Sequence, residues 1–256
     1  MDEVDAIVGA CAVGLQPIPC TAALVLSEIA KERKIPAFDI NSTCTSFITA
    51  LDMLSYQIAA GRYRNVLLLS GDTASIALNP DEKHSFELLG DGAVSAIVSP
   101  SSLGAVLYST QLTSATGVRK TELVGGGTML PAYGFCEENR ASYQFHMEGR
   151  AALVETAQLI EELFAKIDAE CSIKLSDIDM VIPHQASSAL RLIMRRLGVD
   201  PSRYIDLTRA YGNMVSASVP FALDYAVHNG RVKRGDIVML LGTAAGLTIN
   251  ALIMKY

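Results

Sequence analysis

Short apolar runs alternate with amphipathic stretches along the first part of the chain. Runs of four to seven apolar residues are typical of buried strands, and apolar positions three and four apart are typical of helices. This order predicts a parallel sheet with crossover helices. The predicted strands are Asp5–Gly9, Ala37–Asn41, Asn65–Gly71 and Ala93–Ser99, and the predicted helices are Thr21–Glu32 and Thr45–Ala60.

The second part repeats this alternation after an interruption. A strand is predicted at Gly104–Thr110, and a Gly-rich, aromatic stretch without a sustained period follows from Thr113 to Phe145. A stretch of this length predicts a loop that lines a pocket. The later predicted strands are Asp179–Pro183, Tyr204–Leu207, Ile237–Leu241 and Leu247–Tyr256, and the predicted helices are Met147–Glu170, Ser187–Leu197 and Ser216–Asn229.

A short sequence pattern occurs in both parts. Ala-Leu-Asp at 50–52 and Gly-Arg at 61–62 precede a predicted strand, and the same two motifs recur at 222–224 and 230–231 before another. The match in both sequence and element order predicts a duplicated unit. Chance recurrence of two such short motifs is the alternative.

The duplication divides the chain into two predicted halves, 1–103 and 104–256. In this division Cys44 lies at a strand-to-helix junction of the first half, and Asn213 lies at the equivalent junction of the second. Both side chains are therefore expected at the interface between the halves.

Composition narrows the class of protein. The 256 residues include 21 Lys and Arg and 27 Asp and Glu, a net charge of −6, and half of the residues are apolar. This excludes a disordered chain, and an acidic chain without basic and aromatic interleaving is not typical of nucleic-acid binding. Five cysteines without a CxxC pair favour a reducing cytoplasm over a disulfide framework, and the four histidines have no metal-ligand spacing.

Two long uncharged runs, Ala6–Ser27 and Ile237–Met254, raise the question of membrane insertion. The first follows an acidic start and contains two prolines, whereas a signal peptide begins with basic residues. The second contains two glycines and is predicted to be two buried strands around a turn. No membrane span is therefore expected.

Cys44 is the candidate nucleophile. It follows a predicted strand and stands in the first turn of a predicted helix, where unpaired amides and the helix dipole stabilise a thiolate. Cysteines so placed have a pKa of about 3.5–7.5 when neighbours assist. A buried, unreactive cysteine is the alternative. The cysteines without such a junction are Cys11, Cys20, Cys136 and Cys171.

His184 ends an apolar strand in the sequence Val-Ile-Pro-His-Gln. Ligands of open α/β sheets collect at the carboxyl ends of strands, so this position suits a catalytic imidazole. The alternative is a histidine that only hydrogen-bonds the backbone.

Asn213 and the glycine turn 242–246 are candidates for binding a carbonyl oxygen. An amide side chain donates a hydrogen bond without carrying a charge, and backbone N–H groups in a tight turn stabilise an oxyanion. The alternatives are a helix-capping asparagine and small residues that only permit close packing.

Together these motifs resemble the β-ketoacyl-acyl-carrier-protein synthase III group of the thiolase superfamily. The resemblance covers nearly the whole chain, and the order and spacing of the motifs are specific although each one alone is weak. The motifs are Ala-Phe-Asp-Ile-Asn at 37–41 running into Cys44, Gly-Asp-Gly-Ala at 90–93, Pro-His-Gln-Ala at 183–186, Gly-Asn at 212–213 with Ser-Ala-Ser-Val-Pro at 216–220, and the C-terminal glycine turn.

The resemblance implies an α/β fold of the thiolase type. Its two duplicated βαβαβαββ halves would pack as an α-β-α-β-α sandwich, and the protein would form a homodimer. Cys44, His184 and Asn213 would take the places of the family's catalytic set. The backbone N–H groups of Cys44 and Ala245 would form the oxyanion hole.

The resemblance also implies an activity in fatty-acid or related polyketide synthesis. Cys44 would accept an acyl group from an acyl-CoA or acyl-carrier-protein thioester. A decarboxylative Claisen condensation with a malonyl thioester would follow. The partner would be an acyl carrier protein, and no cofactor would be needed. The alternatives are a non-condensing acyltransferase of the same fold and a weakly active partner subunit of a synthase heterodimer. Asn213 disfavours elongating synthases, which have a second His there, and the turn 242–246 disfavours thiolases, which have a second Cys in it. Local agreement with chalcone-type synthases is lower.

The chain departs from the family in two respects. Hydroxyl residues at 42–43 and 45–46 flank Cys44 where Ala and Gly are common. The chain also starts at what resembles the family's second strand, so the first half is expected to be truncated at its N-terminus. In a doubly wound sheet the first strand lies centrally, which predicts an empty central place in the first sheet.

Three arginines, Arg191, Arg195 and Arg196, recur at helical spacing after His184. On an acidic protein such a cluster predicts a docking surface for an acidic carrier protein. A solvated helix face is the alternative.

Overall fold

A computed structural model describes residues 1–256, apart from the side chain of His84. Most of the predicted elements are present within a few residues of their predicted ends. The strands are β1 Ala6–Gly9, β2 Ala37–Asp39, β3 Val66–Thr73, β4 Asp91–Val98, β5 Ala105–Thr113, β6 Thr121–Glu122, β7 His146–Met147, β8 Met180–Pro183, β9 Ile237–Ala244 and β10 Thr248–Lys255. The helices are α1 Thr21–Ile29, α2 Ser46–Ala59, α3 Lys83–Phe86, α4 Gly149–Glu170, α5 Leu190–Arg196, α6 Thr208–Tyr211 and α7 Ser218–His228.

Two four-stranded sheets carry the fold. The first has the order β2-β1-β3-β4 and the second β5-β10-β9-β8. Strands β1, β2 and β3 are parallel, as are β8 and β9, but β4 and β10 run antiparallel to their neighbours. The predicted parallel sheet is therefore confirmed in part, since each sheet also contains an antiparallel strand. Only three residues join β9 to β10, and a connection that short can join antiparallel strands alone.

The predicted empty place at the centre of the first sheet does not exist. Strand β1 pairs directly with β3, from Ala6 with Val66 to Gly9 with Leu69. The expectation assumed the doubly wound strand order, in which the first strand is central. In the second sheet the strand that comes first in the chain, β5, lies instead at the edge beside β10. The corresponding place in the first sheet is the outer edge of β4.

One other predicted element differs from the structure. The predicted strand at Tyr204–Leu207 is reduced to a single bridge between Tyr204 and Val181, because only one residue pair meets the strand beside it. The segment from Thr113 to Phe145 contains short 3₁₀ turns and the two-residue strand β6. The rest of this segment is irregular, as the absence of a sequence period predicted.

Helices α2 and α7 lie between the two sheets. Helix α2 contacts β3 on one side and β10 on the other, and α7 contacts β4 as well as β8 and β9. The main hydrophobic core joins buried residues of both helices with residues of both sheets. Helix α4 covers β5 and β10 from outside, and α1 covers β1 and β2. The layers are thus helix, sheet, helix, sheet, helix. In the described residues no helix combines the length and apolarity needed to cross a membrane.

Candidate active site

Cys44 lies in the 3₁₀ turn Thr43–Thr45, which joins the end of β2 to the start of α2. Thr43 has a φ of 53°, so the backbone bends sharply before the cysteine. The backbone N–H groups of Cys44 and Ala245 lie close enough to the Cys44 sulfur to act against the raised pKa of its thiol. These are the two amides that the sequence resemblance assigned to an oxyanion hole.

Close approach of β9 brings Ala245 to this turn. A Cβ atom at Gly242 would lie 2.5 Å from Cγ2 of Thr45, so a larger residue would push β9 away from the cysteine turn. The Thr43 hydroxyl also donates a hydrogen bond to the Ala245 carbonyl, with an Oγ1–O distance of 3.1 Å. The small Gly242 and the hydrogen bond from Thr43 therefore hold the end of β9 against the turn that contains Cys44.

His184 and Asn213 are in direct contact. Nε2 of His184 lies 3.0 Å from Oδ1 of Asn213, and Nδ1 lies 3.1 Å from Oγ1 of Thr243. His184 directly follows β8, and its backbone N–H donates to the Leu241 carbonyl of β9 at 2.8 Å. Both His184 and Asn213 are buried. The imidazole is thus held between a strand end and the Asn213 loop.

Residues of the first half hold the backbone of Asn213. The Asn213 N–H donates to the Leu88 carbonyl at 2.8 Å, and the Gly90 N–H donates to the Asn213 carbonyl at 2.9 Å. Gly212 has a φ of 68°, and a Cβ atom there would lie 2.7 Å from the Leu88 carbonyl oxygen. Only glycine fits both conditions. The Gly-Asn motif therefore places an amide of the second half against the first.

Burial determines the protonation of the cysteine and the histidine. It raises the pKa of the Cys44 thiol to about 12, against the smaller opposing effect of the Ala245 and Cys44 amides. It lowers the pKa of His184 to about 4. The expected lowering of the Cys44 pKa by the helix is therefore wrong. Cys44 stands in a 3₁₀ turn before α2, and loss of water outweighs two amide donors.

Asp72 is a buried carboxylate that sequence reasoning missed. It accepts hydrogen bonds from the backbone N–H groups of Ala12, Val13 and Ser216, and from the Ser216 hydroxyl. Its charge also contributes to the raised pKa of Cys44. Asp72 lies near the carboxyl end of β3, a position at which α/β sheets bind ligands, and this signal was available in the sequence.

The hydroxyl residues that flank Cys44 bond to one another and to the backbone. Ser42 Oγ lies 2.7 Å from Thr49 Oγ1, Thr45 donates to the Ser42 carbonyl at 2.9 Å, and Ser46 donates to the Thr43 carbonyl at 2.6 Å. Thr45 and Ser46 are fully buried. These two hydroxyls therefore brace the cysteine turn from within the protein.

The three arginines lie on or beside α5 and differ in their contacts. Arg191 forms an ion pair with Asp206, and Arg196 forms one with Glu161. In the described residues no group of three His, Cys, Asp or Glu side chains is placed to bind a metal. Arg195 has no ion pair in the described residues. Arg195 is thus the arginine whose charge no acidic side chain offsets.

The pKa of Cys44 predicts its reactivity in the free protein. Only the thiolate reacts with iodoacetamide, so alkylation of Cys44 should speed up about tenfold per pH unit between about pH 7 and 9, without a plateau. Peptide mass spectrometry measures the rate at Cys44 and, in the same sample, at the exposed Cys136. A plateau for Cys44 near neutral pH would contradict the raised pKa.

The fold and the site together define a class of protein. The protein has two similar sheets, with a cysteine turn in one half and a His–Asn pair in the other. These are the features of a thiolase-fold protein with a cysteine thiol in its active site. Residues 38–116 match the family model for 3-oxoacyl-[acyl-carrier-protein] synthase III, and residues 169–256 match the model for the C-terminal part of the same family.

Individual relatives agree with the family models. The chain is 31% identical to the β-ketoacyl-[acyl-carrier-protein] synthase III of Desulfitobacterium hafniense, over all of this chain and 77% of the relative. The crystal structure of the 3-oxoacyl-[acyl-carrier-protein] synthase III of Aquifex aeolicus matches with a TM-score of 0.86 at 27% identity, over all of this chain and 78% of that one. A variant of OleA from Xanthomonas campestris shares the fold, with a TM-score of 0.84 at 19% identity over 100% and 76% of the two chains. The chain belongs to the 3-oxoacyl-[acyl-carrier-protein] synthase III family.

Proposed function

We propose that this protein is a condensing acyltransferase, which joins an acyl group to a malonyl thioester with loss of carbon dioxide. The observation that carries the proposal is that one short segment, 243–245 at the end of β9, adjoins both the Cys44 turn and the His184–Asn213 pair. Ala245 presents its amide to the Cys44 sulfur, and Thr243 contacts His184, which bonds Asn213. A thiol and a neutral His–Asn pair are the groups that the two half-reactions need.

In the first half-reaction Cys44 takes the acyl group. The sulfur attacks the thioester carbonyl, and the N–H groups of Cys44 and Ala245 bind the oxyanion that forms. The bond to the departing sulfur then breaks. The proton lost by the Cys44 thiol ends on the departing thiol, so the transfer consumes and releases no proton. The raised pKa of the thiol is compatible with this balance.

In the second half-reaction a malonyl thioester replaces the departed thiol. The Nε2–H of His184 and the amide of Asn213 donate to its carbonyl, so loss of carbon dioxide leaves a stabilised enolate. The enolate carbon attacks the acyl carbonyl on Cys44 and releases a β-ketoacyl thioester. The cysteine leaves as a thiolate and takes one proton from water. A neutral His184 is the form that this step requires, and its lowered pKa maintains it.

Release of carbon dioxide tests the proposal. Acylated protein is mixed with malonyl thioester labelled in its free carboxyl group, and both the gas and the β-ketoacyl product are measured. Equal amounts of the two would support condensation. Transfer of the acyl group to an alcohol or amine without carbon dioxide would show a non-condensing acyltransferase instead. No acyl capture at all would favour a partner subunit.

An acyl carrier protein is the proposed carrier of the thioesters, and it docks on α5. The support is the cluster Arg191, Arg195 and Arg196, of which Arg195 has no offsetting ion pair in the described residues. Changing Arg195 and Arg196 to Glu should weaken carrier-protein binding about tenfold at low salt and reduce its salt dependence. Calorimetry measures the binding, and Lys31→Glu, an exposed charge reversal elsewhere, is the control.

Reaction with a small thioester separates docking from damage to the site. The Arg195 and Arg196 double variant should react with a small acyl thioester as the unchanged protein does. Unchanged carrier-protein binding by the double variant would rule out the dock. Equal weakening by Lys31→Glu would show a general effect of charge.

A cytoplasmic homodimer completes the proposal. Free cysteines suit a reducing compartment, and in the described residues all five are free. Val13, Leu15 and Ile18 are exposed in the loop after β1, and such apolar side chains are typical of surfaces between subunits. Light scattering of the purified protein measures the mass, and a monomer at micromolar concentration would refute the dimer.

A further inference from the structure

The hydrogen bonds around His184 determine which nitrogen carries its proton. Val215 N–H donates to Oδ1 of Asn213 at 2.9 Å, which orients the amide with its oxygen towards the imidazole. This oxygen only accepts, so Nε2 of His184 must be the donor across the 3.0 Å contact. In a neutral ring Nδ1 is then an acceptor. The Thr243 hydroxyl, 3.1 Å away, is the side-chain group placed to donate to it, whereas the Thr243 backbone, which also contacts the ring, favours a proton there.

We propose that Thr243 is a positioning residue of the condensation, which holds His184 as the Nε2–H tautomer by donating its hydroxyl proton to Nδ1. This inference rests on the proposed function. When a malonyl carbonyl enters, the Nε2–H group of His184 donates its hydrogen bond to the substrate instead of to Asn213. The contact with Thr243 is on the other side of the ring and persists, so it maintains the tautomer during the reaction.

The position of Thr243 suits this role. Pro183 pairs with Leu241 in the β8–β9 register, and the His184 N–H donates to the Leu241 carbonyl at 2.8 Å. Thr243 follows two residues later on β9 and pairs with Ile249 of β10. Two strand pairings therefore fix the distance between the hydroxyl and the ring. A threonine side chain is also restricted about χ1, which limits the directions in which its hydroxyl points.

Loss of the hydroxyl has a defined chemical consequence. Without the hydroxyl, Nδ1 is a buried acceptor that has no donor. No hydrogen bond then disfavours the tautomer that carries its proton on Nδ1. The ring with its proton on Nδ1 presents a lone pair at Nε2, which repels the carbonyl oxygen that it has to bind. Decarboxylation should therefore slow by about tenfold, which is within the cost of leaving one buried hydrogen-bonding group without a partner.

The test compares Thr243→Val with Thr243→Ser. Valine has the shape of threonine without the hydroxyl, and serine keeps the hydroxyl. Nitrogen-15 NMR of histidine-labelled protein without substrate reads the tautomer of His184, which a His184→Gln spectrum assigns. We expect the Nε2–H form in the unchanged protein and in Thr243→Ser, and a mixture of tautomers in Thr243→Val. Thr243→Ala provides a second variant without the hydroxyl if the valine protein does not fold.

Kinetics completes the test. Decarboxylation of a malonyl thioester should fall about tenfold in Thr243→Val, recover in Thr243→Ser, and fall more than acyl capture at Cys44 does. An unchanged tautomer in Thr243→Val, or a changed tautomer with an unchanged rate, would overturn the inference. If Thr243 controls the tautomer but the unchanged protein releases no carbon dioxide, then the proposed function fails and the tautomer assignment stands.

Discussion

The Cys44→Ala variant is expected to form no covalent acyl adduct. The two amides of the proposed oxyanion hole lie beside the Cys44 sulfur, and a methyl group there has no electron pair to attack a thioester. Capture should be lost completely, because no other cysteine has Ala245 beside it in the described residues. Intact-mass measurement after incubation with an acyl thioester detects the adduct as an added acyl mass.

Two other cysteines provide matched controls for Cys44→Ala. Cys20 precedes α1 and lies 3.8 Å from the Ala37 carbonyl, and Cys171 follows α4 in a separate hydrophobic cluster. Cys20→Ala and Cys171→Ala should capture the acyl group as the unchanged protein does. An adduct that persists in Cys44→Ala would contradict the assignment, and peptide mapping would then identify the sulfur involved.

Local sequence pattern predicted most of the elements because each depends on neighbouring residues. The strand β1 and the long helix α4 were found within two residues of their ends, since apolar periodicity and length determine them. Strand order depends on contacts between distant residues. The pairing of β1 with β3 joins residues about 60 positions apart, and no local pattern encodes it. The wrong prediction of an empty central place in the first sheet arose because it assumed a strand order that the local pattern does not encode.

The candidate site divides in the same way. Cys44, His184 and Asn213 could be predicted as site residues because each follows an element end that the sequence marks with a motif, and their catalytic roles stay predictions. The contact of Thr243 with His184 spans 59 positions, and that of Asp72 with Ser216 spans 144. The pKa of Cys44 depends on how much water the whole fold excludes. The position of Asp72 at a strand end could have been inferred from the sequence, but its partner Ser216, the partner of Thr243 and the burial of Cys44 could not.

Replacing His184 or Asn213 by Ala should chiefly damage decarboxylation. Each side chain is proposed to give one hydrogen bond to the malonyl carbonyl, and removal of one oxyanion donor costs about 10²- to 10³-fold in rate. Neither side chain belongs to the Cys44 and Ala245 amide pair that is proposed to bind the acyl carbonyl. Carbon dioxide release should therefore fall by that factor, while acyl capture measured by intact mass falls much less.

Controls for these two variants come from the exposed end of α7. His228 pairs with Asp224 on the helix surface, and Asn229 caps the same end. His228→Ala and Asn229→Ala remove the same residue types at an exposed helix end, and they should leave both half-reactions unchanged. Equal losses of acyl capture and decarboxylation in His184→Ala and Asn213→Ala would contradict the division of roles. The His–Asn pair would then act on the Cys44 step as well, through the Thr243 segment of β9 that lies between His184 and Ala245.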